Sequence, residues 1–247
     1  MTAQQLGASR IRGLPSVRSP FLIAAIMAGL VLGQGAAAQV PSAPSAPPIA
    51  SKVASSNEQS DISANFGAVS VADDTRRLAN WVVGSHDNRS LPFVVIDKLN
   101  AAVFVFDGHG RLQGASRALI GLARGDDSVV GIGTRPLSSI RPEDRTTPAG
   151  RFVAALGHDT GNKDILWVDY DDAVALHRVV TSNPKERRTQ RLASDSPAER
   201  RISYGCINVP AQFYDAVVIP TFTKADGIAY ILPETRSIRE VFAGFPG

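Results

Sequence analysis

Cys206 is the only cysteine in this 247-residue chain. It sits in the run Ser203-Tyr204-Gly205-Cys206-Ile207-Asn208. A thiol attacks a carbonyl only as the thiolate, so it needs a base or a local field that lowers its pKa. Four histidines are available: His86, His109, His158 and His177. The first two lie in turn segments beside Asp and Gly, and His158 lies in the loop-like stretch ALGHDTGNKD. His177 stands inside the apolar run AVALHRVV. Strand alternation there puts Val174, Leu176 and Arg178 on one face, and Ala175, His177 and Val179 on the other. Gly205 lets the backbone approach a substrate closely. Successive N–H groups around Gly205 and Cys206 can form an oxyanion hole, and a helix start just beyond would favour a thiolate. The competing reading is a small buried hydrophobe, since free cysteines are commonly buried. The residues alone leave the two open.

The elements that must position these groups are mostly strands. PFVVID, AAVFVFD and RLQGASRALIG are apolar, partly alternating runs separated by KLN and GHG, which reads as a meander of hairpins. GRFVAAL, ILWVDY, AVALHRVV and GIAYIL follow as further strands. A helix is expected over SVADDTRRLANWVV, with Ser70 as its cap, Asp73 and Asp74 at its positive end, and Leu78, Trp81 and Val82 on one face. A second is expected over PAQFYDAVVIPTF, with Pro210 in its first turn. The pattern predicts a mostly β chain, a sandwich or partly closed barrel of mixed sheets with a few short flanking helices. Phe93, Phe104, Phe106 and Trp167 read as core. The Gly125-Asp126-Asp127 run reads as a turn. Asp169, Asp171 and Asp172 lack a glycine-centred loop or a His/Cys partner, so no metal site is expected.

The first residues carry Arg10, Arg12 and Arg18 without any acid, then the apolar run Phe21 to Gly33, then Ala36-Ala37-Ala38. That order predicts a cleaved signal peptide over residues 1–38. An uncleaved anchor is the alternative, but the run falls short of the roughly 20 residues that span a bilayer. Residues 39–65, rich in Pro, Ala and Ser, read as a disordered tether. Residues 66–90 form a helical lead-in, 91–233 the main domain and 234–247 a tail. The whole chain has 26 basic and 23 acidic side chains. Without the three signal arginines the charges balance, which removes the main support for a nucleic-acid partner. A lone cysteine in an exported chain implies a reactive thiol or an intermolecular bridge.

The Ser203–Asn208 string, preceded by His177 on a strand, resembles the L,D-transpeptidases of the YkuD type, cysteine enzymes of bacterial peptidoglycan. IDKLNAAVFVFDGHGRL is similar to that family's opening hairpin, RTTPAGRF to its Thr-Pro-x-Gly-x-Phe segment, and GIAYIL to its closing strand. The likeness covers about Pro92 to Leu232 and implies an L,D-transpeptidase-like β-sandwich. It also implies a periplasmic enzyme of cell-wall organisation and cell shape, working on stem peptides without metal or cofactor and inhibited by carbapenems. In that scheme His177 takes the proton of Cys206, and the Arg178 carbonyl orients the imidazole. The thiolate attacks the third stem residue and expels the terminal D-alanine. Donors at Tyr204, Gly205 and Cys206 hold the oxyanion, while Ser203 and Asn208 shape the pocket. An amine then takes the acyl group and makes a cross-link. Water as acceptor would make an L,D-carboxypeptidase or endopeptidase instead, and a non-catalytic wall-binding module is the third reading. Two departures stand out. Tyr204 replaces the family's usual histidine. The segment 178–202 is also longer than usual, with six basic and three acidic side chains over residues 181–201. It reads as a solvated loop, or as a lid whose charge meets stem-peptide carboxylates.

Overall fold

A computed structural model describes residues 63–246. The expected signal peptide and nearly all of the tether lie outside the described residues. In chain order the elements are α1 (Asp73–Gly84), β1 (Phe93–Asp97), β2 (Ala102–Phe106), β3 (Leu112–Arg117), β4 (Ile120–Gly121), β5 (Gly150–His158), β6 (Asp164–Asp169) and β7 (Val174–Arg178). They continue with α2 (Arg188–Ala193), β8 (Arg201–Ser203) and β9 (Ile207–Val209). Helix α3 opens over Ala211–Phe213, widens to π winding over Tyr214–Val218 and closes over Ile219–Phe222, ahead of β10 (Gly227–Ile231) and α4 (Ile238–Val241). Pro220 lacks the N–H that would bond back into the preceding turn, and the widened winding lies directly before it.

Eight strands form one mixed sheet in the order β3-β2-β1-β10-β5-β6-β7-β9, and β4 pairs with β8 apart from it. The sheet nearly closes on itself. Leu119 and Asn208, near opposite ends of that order, exchange two backbone hydrogen bonds of 2.8 Å. One core fills the interior, with Val94, Ile96, Val103, Val105, Leu166, Leu176, Ile207 and Val209 packed against Tyr214, Val218 and Phe222 of α3. The second lies on the other face of β1, β2 and β10, where Phe93, Val95, Phe104, Phe106 and Tyr230 meet Leu78 and Val82 of α1. Strands β1 and β10 run parallel and are buried on both faces, so they read as continuous apolar runs rather than alternations.

The mostly β architecture with short helices is as the pattern predicts, and several local expectations change. The run RLQGASRALIG is two strands: the chain leaves β2 after Arg117, and residues 119–121 pair with β9 and β8 instead. Alternation reports which face a residue takes, not which partner, so the break leaves no mark in the pattern. His158 ends β5 rather than lying in a loop. Trp167 is only half-buried, its ring 4.8 Å from that of Tyr170. Ser70 does not cap α1, whose N-cap is Ala72, while Asp73 and Asp74 do occupy its first turn. Asp169 serves a turn, accepting from the amides of Asp171 and Asp172.

Asp126 is no ordinary turn residue. It is buried, and it accepts hydrogen bonds from Lys98 Nζ at 2.6 Å and from the amides of Glu234, Thr235 and Arg236. Nor do the two flanks of the main domain hang free. Asn65 bridges Arg111, and Phe66 is buried against Phe106. At the other end, Glu234, Phe242 and Phe245 are buried in the body.

Candidate active site

The site grows from one parallel strand pair. Strand β7 pairs with β9 in the register Leu176–Ile207, His177–Asn208 and Arg178–Val209. Side chains at i and i+2 share a strand face, so Cys206 and Asn208 share the face of His177, while Ile207 and Val209 join Leu176 in the core. The apolar pattern of AVALHRVV thus does two things. It buries Val174 and Leu176, and it aims the imidazole at the sulfur.

Cys206 closes the turn Tyr204-Gly205-Cys206 between β8 and β9. Gly205 has φ of +133°, and a Cβ there would stand 2.7 Å from the Thr146 carbonyl oxygen, so a side chain is refused on both counts. The turn is braced from both sides. Ser203 Oγ donates to the Cys206 carbonyl at 2.6 Å and accepts from the Gly205 amide at 3.2 Å. Thr147 Oγ1 donates to the Gly205 carbonyl at 2.8 Å and accepts from the Gly121 amide at 2.9 Å. Ser203 is therefore a buried brace rather than a substrate contact, and the Gly205 N–H is already engaged. The Tyr204 and Cys206 amides make no hydrogen bond among the described residues, which leaves them as the open donors of the turn.

His177 Nδ1 lies 2.7 Å from the Arg178 carbonyl oxygen. A carbonyl only accepts, so Nδ1 carries the hydrogen and Nε2 is left for the sulfur. The register sets the imidazole on the face of the sulfur, close enough for the two to act on each other. Burial works against charge on either group, pulling the histidine down and pushing the cysteine up. Their interaction with each other outweighs it, so the imidazole titrates above its ordinary value and the thiol below its own. The Ala175 amide and the Arg188 charge push the thiol further down. No helix does this work: α3 begins only at Ala211, beyond β9. The sulfur also lies 3.5 Å from the Ala173 carbonyl oxygen, and Cys206 is half-buried rather than sealed.

Asn208 is almost fully buried. Its Nδ2 donates to the Cys206 carbonyl at 3.3 Å, and its Oδ1 accepts from Arg188 Nη1 at 2.9 Å. Arg188 belongs to the long segment 178–202, which is folded rather than merely solvated. Leu192 and Arg200 are buried, and Arg200 donates to the carbonyls of Ser194 and Asn100. Tyr204, in the place of the resembled family's histidine, packs its ring under the Arg145 guanidinium at 4.0 Å. The Arg178 side chain points the other way from its carbonyl, pairing with Asp164 and Asp215 over the ring of Tyr214. His86, His109 and His158 play no part in the site as described.

The sequence marks neither Thr147 nor Arg188 as part of the site. Thr147 lies in the RTTPAGRF stretch, whose pattern assigns it no role, and Arg188 is one of several arginines in a charged segment.

No protein-family model matches the chain, and no curated protein matches it. Among solved structures it is similar to the helical cell shape determining protein Pgp2 from Campylobacter jejuni, at 11% identity and TM-score 0.39, over 60% of this chain and 49% of that one. It is similar to an L,D-transpeptidase from Xylanimonas cellulosilytica, at 15% identity and TM-score 0.34, over 57% and 60%. The catalytic domain of an E. faecium L,D-transpeptidase matches at 14% identity and TM-score 0.30, over 57% and 95%. The chain thus spans less than two thirds of the length of the first two.

Proposed function

We propose that the protein is a cysteine-dependent L,D-transpeptidase that acts on peptidoglycan stem peptides outside the cytoplasmic membrane. The observation that carries the chemistry is the imidazole of His177, held at Nδ1 by the Arg178 carbonyl and facing the only thiol of the chain. The substrate class rests on the motif likeness around Cys206 and upstream of it.

In the acylation step the Cys206 thiolate attacks the carbonyl carbon of the third stem residue. A C–S bond forms, and the oxygen takes the electron pair beside the Tyr204 and Cys206 amides. As the tetrahedral species collapses, the C–N bond breaks and the imidazolium of His177 protonates the departing amine of D-alanine. A thioester remains. An acceptor amine then attacks it, His177 removes the amine's proton, and the thiolate leaves to restore the resting pair. Asn208, fixed by Arg188, holds the Cys206 carbonyl and so the orientation of the turn.

Two measurements test the reading. Intact-mass spectrometry after meropenem or iodoacetamide is expected to show one adduct, on Cys206, that is lost or strongly slowed in His177→Ala. An adduct formed equally well without His177 would count against the pair. Muropeptide analysis of wall material treated with the enzyme is expected to show new cross-links. Trimmed stems without cross-links would reassign the acceptor to water.

A further inference from the structure

The segment 178–202 carries a cation to the edge of the thiol site, and its remaining hydrogen bonds are unspent. Arg188 Nη1 donates to Asn208 Oδ1, and its Nε donates to Glu186 Oε2. A guanidinium has five N–H donors in a fixed fork, so three are without a partner among the described residues, including both on Nη2. The side chain keeps a narrow opening to solvent, at 12% exposure. Through Asn208 it is two hydrogen bonds from the Cys206 carbonyl. The other cation beside the turn is Arg145. Its Nε and Nη2 are both committed to the Ile140 carbonyl, and its face is covered by Tyr204.

We infer that Arg188 is a specificity-determining residue that receives a carboxylate of the donor peptide next to the scissile bond. This rests on the proposed reading of Cys206 as nucleophile and deepens it. Glu186 holds the Nε side of the fork in the absence of substrate and competes with an incoming carboxylate for the guanidinium charge. The chemistry is a charge-assisted pair between guanidinium and carboxylate. A donor stem offers two such groups, the terminal carboxylate of the leaving residue and the side-chain carboxylate of the residue under attack.

The test compares three donors on the purified full-length protein. They are a stem tetrapeptide ending in diaminopimelate and D-alanine, the same peptide with a C-terminal carboxamide, and the same peptide with a side-chain carboxamide. The wild type is expected to prefer the acid over one of the two amides by about 10- to 100-fold in kcat/KM, the span of a charged hydrogen bond. Which amide suffers identifies the carboxylate that is bound. In Arg188→Gln that ratio collapses toward one, mostly through KM. In Arg145→Gln it is unchanged. Because the ratio is taken within each variant, general damage to the thiol cancels. Should Arg188→Gln fold poorly, Arg188→Lys serves: it keeps the charge, loses the fork and lowers the ratio only in part. Glu186→Gln removes a competing anion and lowers KM for the acid donor.

A ratio unchanged in Arg188→Gln, or collapsed in Arg145→Gln instead, overturns the assignment. So does a higher KM in Glu186→Gln. If no acyl-enzyme forms at Cys206 with any donor in the wild type, the reading of the site itself fails, and this inference falls with it.

Discussion

Two polar pairs in the lower-dielectric parts of this molecule, Lys98 with Asp126 and His177 with Cys206, are built in opposite ways. Lys98 and Asp126 are 2.6 Å apart with side chains 0% and 1% exposed. All three ammonium hydrogens are used, on Asp126, Gly125 O and Thr147 O. Asp126 in turn receives three backbone amides and the Thr235 hydroxyl. Burial pushes the Asp126 carboxyl up, but these donors outweigh it and hold it well below the usual range. His177 and Cys206 have no such surplus. The imidazole has one carbonyl behind it, and the sulfur has the Ala173 carbonyl, one amide and the charge of Arg188, in a residue that is half-buried. A saturated pair has nothing left to offer a ligand and serves as a fastening. An under-satisfied pair leaves its groups available to whatever enters. The two are linked, because Lys98 holds Thr147 by its carbonyl and Thr147 holds the Gly205 carbonyl by its hydroxyl.

The contrast can be broken most sharply at the reactive end. Cys206→Ala should abolish the covalent adduct and all acyl transfer, and His177→Ala should slow acylation by about a thousandfold or more, as loss of a nucleophile's base does. The pH profile of iodoacetamide alkylation gives the sign. In the wild type the imidazole lowers the pKa of the thiol, so alkylation should set in below the ordinary thiol range. Without His177 the midpoint moves up, and the rate at neutral pH falls. Tyr204→Phe should leave fold and alkylation rate within about twofold, since ring stacking rather than the hydroxyl meets Arg145, and a surface change of this kind costs little.

Larger than that small effect, and read in stability rather than rate, is Lys98→Met. Breaking a buried pair costs about 3–5 kcal/mol where the partner is left alone; here the amides that remain on Asp126 keep the loss toward the low end, which urea unfolding would detect as a lower midpoint at unchanged slope. The pH dependence has a definite sign. A carboxyl depressed in the folded state contributes stability that is fully present above its unfolded pKa, and that is lost as pH falls through the folded value. Asp126's contribution is therefore full above the ordinary carboxylate range and falls away as the pH drops below it, and Asp126→Asn should remove that acid-side slope. Between these extremes lies Gly205→Ala. It should cost about 1–3 kcal/mol through its backbone conformation and the approach to Thr146, and slow alkylation more than it lowers stability.

How much of this was legible in the chain follows from where each interaction is encoded. The long strands announce themselves because PFVVID and AAVFVFD carry their burial in consecutive residues, and His177 is conspicuous as the one polar ring in an apolar run. Strands β8 and β9 are three residues each. No periodicity can be read in so short a run, so the turn around Cys206 resembles a loop leading into a helix. Lys98 looks like a hairpin residue because its partners lie 27 to 49 positions away. Arg188 reaches Asn208 across 20 positions through a segment whose composition suggests only solvent. Local pattern specifies faces, whereas the braces of the site are distant pairings between polar groups that composition does not connect.

The Thr147–Gly205 and Lys98–Thr147 contacts span 58 and 49 positions. Such distant closures carry a larger loop-closure cost than the hairpins do. A nascent or half-folded chain therefore carries an ordinary, sluggish sulfhydryl, without its imidazole and without its braces. The local field that lowers the thiol's pKa belongs to the finished fold alone.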